Sequence, residues 1–345
     1  MNVPPLRIPL QQLDPGPQRP RHAVGPRSLD AVRMLRISVT DRCNLRCRYC
    51  MPEEGVRFEP RENLLSVESI TRIAEVARNI GVRHFKITGG EPTVRSDLLE
   101  IVKAIRGLGS SDLSLTSNGI HLHRLARPLK EAGLDRVTLS VDSLRKDRYA
   151  RITGGGRIDL FHRGLAAAAE TFGRLKLNVV VMRGVNDDEL ADFARLAMEH
   201  DWTVRFIEFM PLGCSSLTDG DPEDVLVDAD EMVAKIEAEI GTLVSLKDTF
   251  DPGVGPARLL ACPGGRGRIG LIHAMSRPFC ESCNRLRLTA DGVLRSCLFD
   301  GGEIDLRPLL GQGPDVMRDA FARCTALKPE VHGGRGDRAM SSIGG

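Results

Sequence analysis

From residue 34 the chain alternates short runs of β-branched and apolar residues with longer stretches of helical period. Met34-Leu35-Arg36-Ile37-Ser38-Val39 opens the series, and its two-residue alternation predicts a half-buried strand. Ser66 stands where a hydroxyl can cap a helix whose apolar face is Ile70, Ile73, Ala74, Ala77 and Ile80. Gly81 then ends that helix before a second strand at His84-Phe85-Lys86-Ile87-Thr88. Further strands are predicted at 113–116, 136–141, 175–181 and 204–209, and the helical segments between them include 158–172 and 187–200. Six strands alternating with helices imply βα units, a parallel sheet and right-handed crossovers. Periodicity leaves open whether that sheet is doubly wound or curls into a partial barrel.

After a polar helix around 229–240 the rhythm fades, and Gly and Arg become frequent from Asp251 onward. The chain therefore divides into an arm (1–33) holding seven prolines, a βα region (34–250) and a C-terminal module (251–345). Its last residues, Ser341-Ser342-Ile343-Gly344-Gly345, read as a flexible Gly-rich tail. In the βα region the distinctive motifs sit at or just past strand ends: a cysteine loop after the first, Gly89-Gly90-Glu91-Pro92 after the second, Ser117-Asn118-Gly119 after the third. Asp142 and Ser143 follow the fourth strand and Met210 the sixth. Ligands of parallel α/β folds collect at the carboxyl ends of strands, so these loops are expected to share one mouth.

Charge and composition narrow the partners. Forty-eight basic and 46 acidic residues nearly balance, and two Tyr and one Trp provide no stacking platform for nucleic acid. No run approaches the length of a membrane span, and the first thirty residues lack the order of a secretion signal. Nine cysteines, six of them in two triads, suit metal ligation in a reducing compartment, with the cytoplasm as the default.

The first triad, Cys43, Cys47 and Cys50, has the C-x3-C-x2-C spacing. Three thiolates leave one iron of a [4Fe-4S] cube open, a place where a small molecule can chelate and receive an electron, whereas structural zinc wants four closed ligands. Gly89 and Gly90 let main chain approach a ligand ammonium, and Glu91 adds a negative charge there. The second triad is Cys280, Cys283 and Cys297, with Cys262 the nearest spare thiol, so spacing alone also allows a four-cysteine zinc ribbon. Arg285 and Arg287 flank Leu286, so an extended segment turns both guanidiniums to one side, where they can form bidentate bonds to phosphate.

The cysteine loop Thr40 to Pro52 resembles that of the radical S-adenosylmethionine (SAM) superfamily. Together with Ile87 to Pro92, Arg205 to Met210, Phe279 to Cys297 and the terminal Gly-Gly, it resembles the GTP 3′,8-cyclase family of molybdenum-cofactor biosynthesis. The most specific block is Cys-x2-Cys-Asn-Arg-Leu-Arg-Leu-Thr-Ala-Asp-Gly, and Ser117 departs from an expected Thr. The resemblance implies an incomplete (βα)6 barrel with a C-terminal second-cluster module and two [4Fe-4S] clusters, held by Cys43, Cys47 and Cys50 and by Cys280, Cys283 and Cys297. It places Tyr49, Gly90, Ser140 and Met210 at SAM, and Arg36, Lys86, Thr116, Lys176, Arg285, Leu286 and Arg287 at GTP. Arg285, Arg287, Gly344 and Gly345 take catalytic roles, the Gly-Gly end as an element inserted into the active site.

The implied reaction turns GTP into (8S)-3′,8-cyclo-7,8-dihydroguanosine 5′-triphosphate. A 5′-deoxyadenosyl radical takes hydrogen from C3′, and the carbon radical attacks C8. Implied partners are an electron donor such as flavodoxin or ferredoxin, cyclic pyranopterin monophosphate synthase as the recipient of the product, and a second copy in a homodimer. A peptide-modifying radical enzyme would want more C-terminal cysteines, and a ferredoxin-like carrier would want closed four-ligand clusters without substrate arginines.

Overall fold

The computed structural model describes residues 25–51, 57–213, 222–246, 255–299, 302–336 and 338–344. Six parallel strands form its centre: β1 (Met34–Ser38), β2 (His84–Thr88), β3 (Asp112–Ser117), β4 (Arg136–Ser140), β5 (Lys176–Val181) and β6 (Thr203–Glu208). Six more follow: β7 (Val244–Ser245), β8 (Arg258–Ala261), β9 (Arg268–Ile272), β10 (Arg285–Leu288), β11 (Val293–Arg295) and β12 (Glu303–Asp305). The helices are α1 (Val67–Asn79), α2 (Leu98–Gly107), α3 (Leu122–Glu131), α4 (Lys146–Ile152), α5 (Ile158–Phe172), α6 (Leu190–Glu199), α7 (Ala229–Ile240), α8 (Pro314–Ala326) and α9 (Met340–Ile343).

All twelve strands belong to one sheet, ordered β12-β11-β10-β1-β2-β3-β4-β5-β6-β9-β8-β7. The two ends, β12 and β7, are not paired to each other, so the barrel is open. The C-terminal residues, expected as a module of their own, extend both edges of this sheet. β10 pairs parallel with β1 on one side and β9 pairs parallel with β6 on the other. Edge strands β1 and β6 carry main-chain donors and acceptors that need partners, and hairpins from the C-terminal third supply them.

Alternation sets the two faces. In β5 and β6 every second residue is buried, with Leu177, Val179, Val181, Val204 and Phe206 joining the core and Lys176, Asn178 and Arg205 facing inward. Ser66 caps α1 by accepting from the Ser69 amide, and Ile70, Ile73, Ala74 and Ala77 share a core with Leu35, Ile37, Phe85 and Ile87. The predicted strands and helices match within a few residues. Ser341 to Gly344, part of a tail whose composition reads as flexible, are instead ordered in and at the cap of a helical turn, with Ser341 and Ile343 buried.

Candidate active site

The inward face of the barrel, the cysteine loops and the tail enclose one large chamber. Cys43, Cys47 and Cys50 line it at the carboxyl end of β1, and Cys280, Cys283 and Cys297 line it from the C-terminal strands. All six thiols are free. Cys262 is buried in the main hydrophobic core, and Cys324 lies in α8, its thiol donating to the Leu294 and Gly302 carbonyls. Neither lines the chamber, so among the described residues its cysteines are two sets of three, a count that suits clusters with one open iron. Cys214 lies outside the described residues.

The first loop is anchored from outside. The Arg46 and Arg48 amides donate to the Thr153 and Ile152 carbonyls, at 3.0 Å each, and the Cys50 amide turns back to the Cys47 carbonyl. Burial pushes the Cys43 thiol up to about 11 and Cys50 to about 12, and it also raises Cys47. Three thiols in this condition want a cationic centre that takes them as thiolates. The second triad differs: burial raises Cys283, but the Arg285 guanidinium and the Lys328 ammonium overcome it and leave that thiol lowered to about 7.

Gly89 and Gly90 are required by a chain crossing. A Cβ at Gly89 would meet the Thr40 carbonyl oxygen at 2.5 Å, and one at Gly90 would meet the Arg42 oxygen at 2.4 Å. The Gly90 and Glu91 amides bond to the Thr40 and Arg42 carbonyls, clamping this turn to the cysteine loop. Glu91 is not a loose negative charge. Its carboxylate accepts from the amides of Thr93 and Asn118 and the hydroxyls of Thr93 and Ser117, tying β2 to β3. Ser117 retains the hydroxyl this requires, which makes its departure from Thr conservative. The Tyr49 hydroxyl donates to Asp142 Oδ2 at 2.9 Å, and burial raises Asp142 to about 6. Tyr49, Gly90, Ser140 and Met210 all line the chamber, whereas Ser143 is turned away to donate to Glu189.

Cations occupy the inner register of strand after strand. Arg36 of β1 lies beside Lys86 of β2 and Arg287 of β10, Thr116 pairs with Thr138, Thr138 with Lys176, and Asn178 with Arg205. Lys86 donates to the hydroxyls of Thr116 and Thr138, and Arg205 also donates to Thr138. Burial, and then Arg287, Arg285 and Arg205, hold the Arg36 guanidinium well below its ordinary value. Burial and then Arg205 lower Lys86, and burial and then Arg285 lower Arg287 to about 9.

The carboxylates lining the chamber, Glu91, Asp142 and Glu208, are all engaged with the scaffold; Glu208 accepts from the amides of Ala229, Met275 and Ser276. A crowd of cations without a loose carboxylate is built for a polyanion. Asn178 Oδ1, Ser296 Oγ and Ser341 Oγ also line the chamber, buried and without a hydrogen-bond partner among the described residues, so polar atoms of a bound molecule have places to go.

Of the residues expected at the nucleotide, Arg36, Lys86, Thr116, Lys176, Arg285 and Arg287 line the chamber. Leu286 does not: its side chain is wholly buried in the core, because alternation along β10 turns it away from its neighbours, and only its main chain can serve a ligand. Arg205, Asn178, Thr138 and Arg136 were missed, although two-residue alternation on their strands already turned them inward. The tail completes the enclosure. The Ser341 amide lowers the Cys50 thiol against the effect of burial, and the Gly344 carbonyl accepts from Arg287 Nη1 at 2.8 Å. Gly345 lies outside the described residues.

Residues 37–197 match the Radical SAM superfamily and residues 202–334 match Molybdenum Cofactor Synthesis C. The chain is 46% identical to the GTP 3′,8-cyclase of Moorella thermoacetica, over 91% of this chain and 98% of the relative. It is 42% identical to the GTP 3′,8-cyclase of Lactiplantibacillus plantarum, over 86% and 88%. The chain belongs to the GTP 3′,8-cyclase family. Members are radical SAM enzymes that use SAM and two [4Fe-4S] clusters, and both cysteine triads of this chain line the chamber. Among solved structures, Streptococcus suis SuiB bound to S-adenosylmethionine shares the fold, with a TM-score of 0.57 at 15% identity over 84% of this chain and 66% of that one. Among the described residues no helix is long and apolar enough to cross a membrane.

Proposed function

We infer that this chamber cyclises GTP between C3′ and C8, with the following division of labour among its residues. Cys43, Cys47 and Cys50 hold the cluster that, when bound, reduces SAM to methionine and the 5′-deoxyadenosyl radical that takes the C3′ hydrogen. Tyr49, Gly90, Ser140 and Met210 surround SAM. Cys280, Cys283 and Cys297 hold the second cluster beside the guanine. Arg36, Lys86, Lys176, Arg285 and Arg287 bind the triphosphate and, with Thr116, orient the ribose, while Leu286 contributes its main chain alone.

The single observation that carries this reading is that two thiol triads line one cation-rich chamber. A triphosphate brings roughly four negative charges at neutral pH, which relieves the repulsion among guanidiniums that burial has already made costly. The protein's other task is to fix ribose and base within reach of each other and to keep water and stray hydrogen donors out. The tail serves both ends, because it touches Cys50 on one side and Arg287 on the other.

An external one-electron carrier such as flavodoxin or ferredoxin supplies two electrons, one for SAM cleavage and one that, with a proton, quenches the radical left after C3′ bonds to C8, and the product passes to cyclic pyranopterin monophosphate synthase in the cytoplasm. The match to Molybdenum Cofactor Synthesis C supports that pathway. Anaerobic incubation of iron-loaded protein with GTP, SAM and a reductant should yield 5′-deoxyadenosine and a cyclised nucleotide by mass analysis. Bound zinc with iron near zero would end the reading.

A further inference from the structure

We propose that Lys328 is a positioning residue for the second cluster: its buried ammonium, bonded to the Cys283 sulfur, sets that cluster's reduction potential higher than the three thiolates alone would. The proposal rests on the reading that Cys280, Cys283 and Cys297 hold a cluster.

Lys328 follows α8 and is only 4% exposed. Its Nζ donates to the Cys283 carbonyl at 2.9 Å and to the Cys283 sulfur at 3.6 Å. It does not line the chamber, so it approaches the cysteine from behind and not from the substrate side. Arg285 flanks the same cysteine from the chamber, its guanidinium 5.1 Å above the Phe279 ring. Among the described residues no carboxylate pairs with Lys328; its bonds go to Cys283. A buried ammonium without an anion is strongly disfavoured, and the anion at hand is the ligating sulfur.

The lysine is held in place. The Arg27 guanidinium donates to the Lys328 carbonyl at 3.0 Å and pairs with Glu330 at 2.9 Å, and the Lys328 amide returns to the Thr325 carbonyl. The end of the N-terminal arm thus buttresses the contact. Reduction adds negative charge to a cluster, so a fixed cation and an N–H···S bond favour the reduced state.

The test uses full-length protein in which Cys43, Cys47 and Cys50 are Ala, so that only the second cluster gives an EPR signal. Lys328→Met should keep iron content while shifting the reduced-to-oxidised ratio at fixed potential about tenfold towards oxidised, a fall of about 59 mV for one electron. Lys328→Arg should stay near the parent. An unchanged midpoint in Lys328→Met with the cluster intact overturns the proposal.

If Lys328→Met loses the cluster, Lys328→Gln and Lys328→Arg decide. Retention by Arg with loss by Gln supports the need for a cation, whereas loss by both, or retention by Gln at the parent potential, overturns it. Absence of any cluster signal in the folded background protein would instead overturn the ligand assignment of the second triad.

Discussion

Gly344→Ala probes the docked tail. Gly344 has a φ of +71°, and a Cβ added there would lie 2.9 Å from Ser38 Cβ and 3.0 Å from Thr88 Cγ2. The left-handed backbone costs a residue with a side chain about 1–2 kcal/mol, and wedging a methyl against packed atoms costs about 1–3 kcal/mol more. The atoms it meets belong to short side chains on β1 and β2, so they cannot swing aside. Together these terms disfavour the docked tail by about 2–5 kcal/mol, roughly 30- to 4,000-fold at 1.4 kcal/mol per factor of ten. Leaving the dock removes the Gly344 carbonyl from Arg287 and the Ser341 amide from Cys50. The assay is anaerobic turnover with GTP and SAM in excess, read as cyclised nucleotide, alongside iron content and GTP binding. Cyclisation should fall at least tenfold while iron and GTP binding hold. Wild-type turnover by Gly344→Ala, or by a chain extended past Gly345, would refute the inserted tail.

The other expectations concern the two triads, the phosphate cations and a buried carboxyl. Changing Cys280, Cys283 and Cys297 to Ala should spare some SAM cleavage and abolish cyclisation, whereas changing Cys43, Cys47 and Cys50 should abolish both; normal cyclisation by the first variant would exclude a substrate role for the second cluster. Arg285→Ala should weaken GTP use about tenfold or more, since a charge-assisted bond is worth about 1.5–3 kcal/mol, and an early melt in place of lost affinity would count against it. Asp142, raised to about 6 by burial, binds its proton more tightly folded than unfolded. Its contribution to stability is therefore full below the ordinary carboxyl value and declines as pH rises towards 6, by on the order of 2–3 kcal/mol. In Asp142→Asn that slope in urea midpoint should vanish, and an unchanged slope would exonerate this carboxyl.

How much of this was legible beforehand depends on whether a residue's role is local. The strands, α1 with its Ser66 cap, and the convergence of the Gly89-Gly90 and cysteine loops followed from alternation and turn chemistry, which act over a few residues. Arg285 and Arg287 were visible as a pair because β10 is extended. Alternation along β5 and β6 already turned Asn178 and Arg205 to the inward face, and what it did not show is that the pairing of the two strands sets them side by side. The glycines were read as making room for a ligand, yet the atoms they make room for belong to Thr40 and Arg42, whose approach only the folded chain brings about. Lys328 resembles any helix-end lysine until α8 is laid behind Cys283. The tail has the composition of a frayed end, and only the family resemblance pointed to its insertion; in the folded chain Arg287 donates to the Gly344 carbonyl and Ile343 is buried.

The most direct measurement is the fate of the hydrogen at C3′ of GTP. With GTP deuterated at C3′, anaerobic turnover should place deuterium in 5′-deoxyadenosine, in step with cyclised nucleotide. Unlabelled 5′-deoxyadenosine accompanying the cyclised product would contradict hydrogen abstraction at C3′ and with it the proposed positioning of GTP in this chamber.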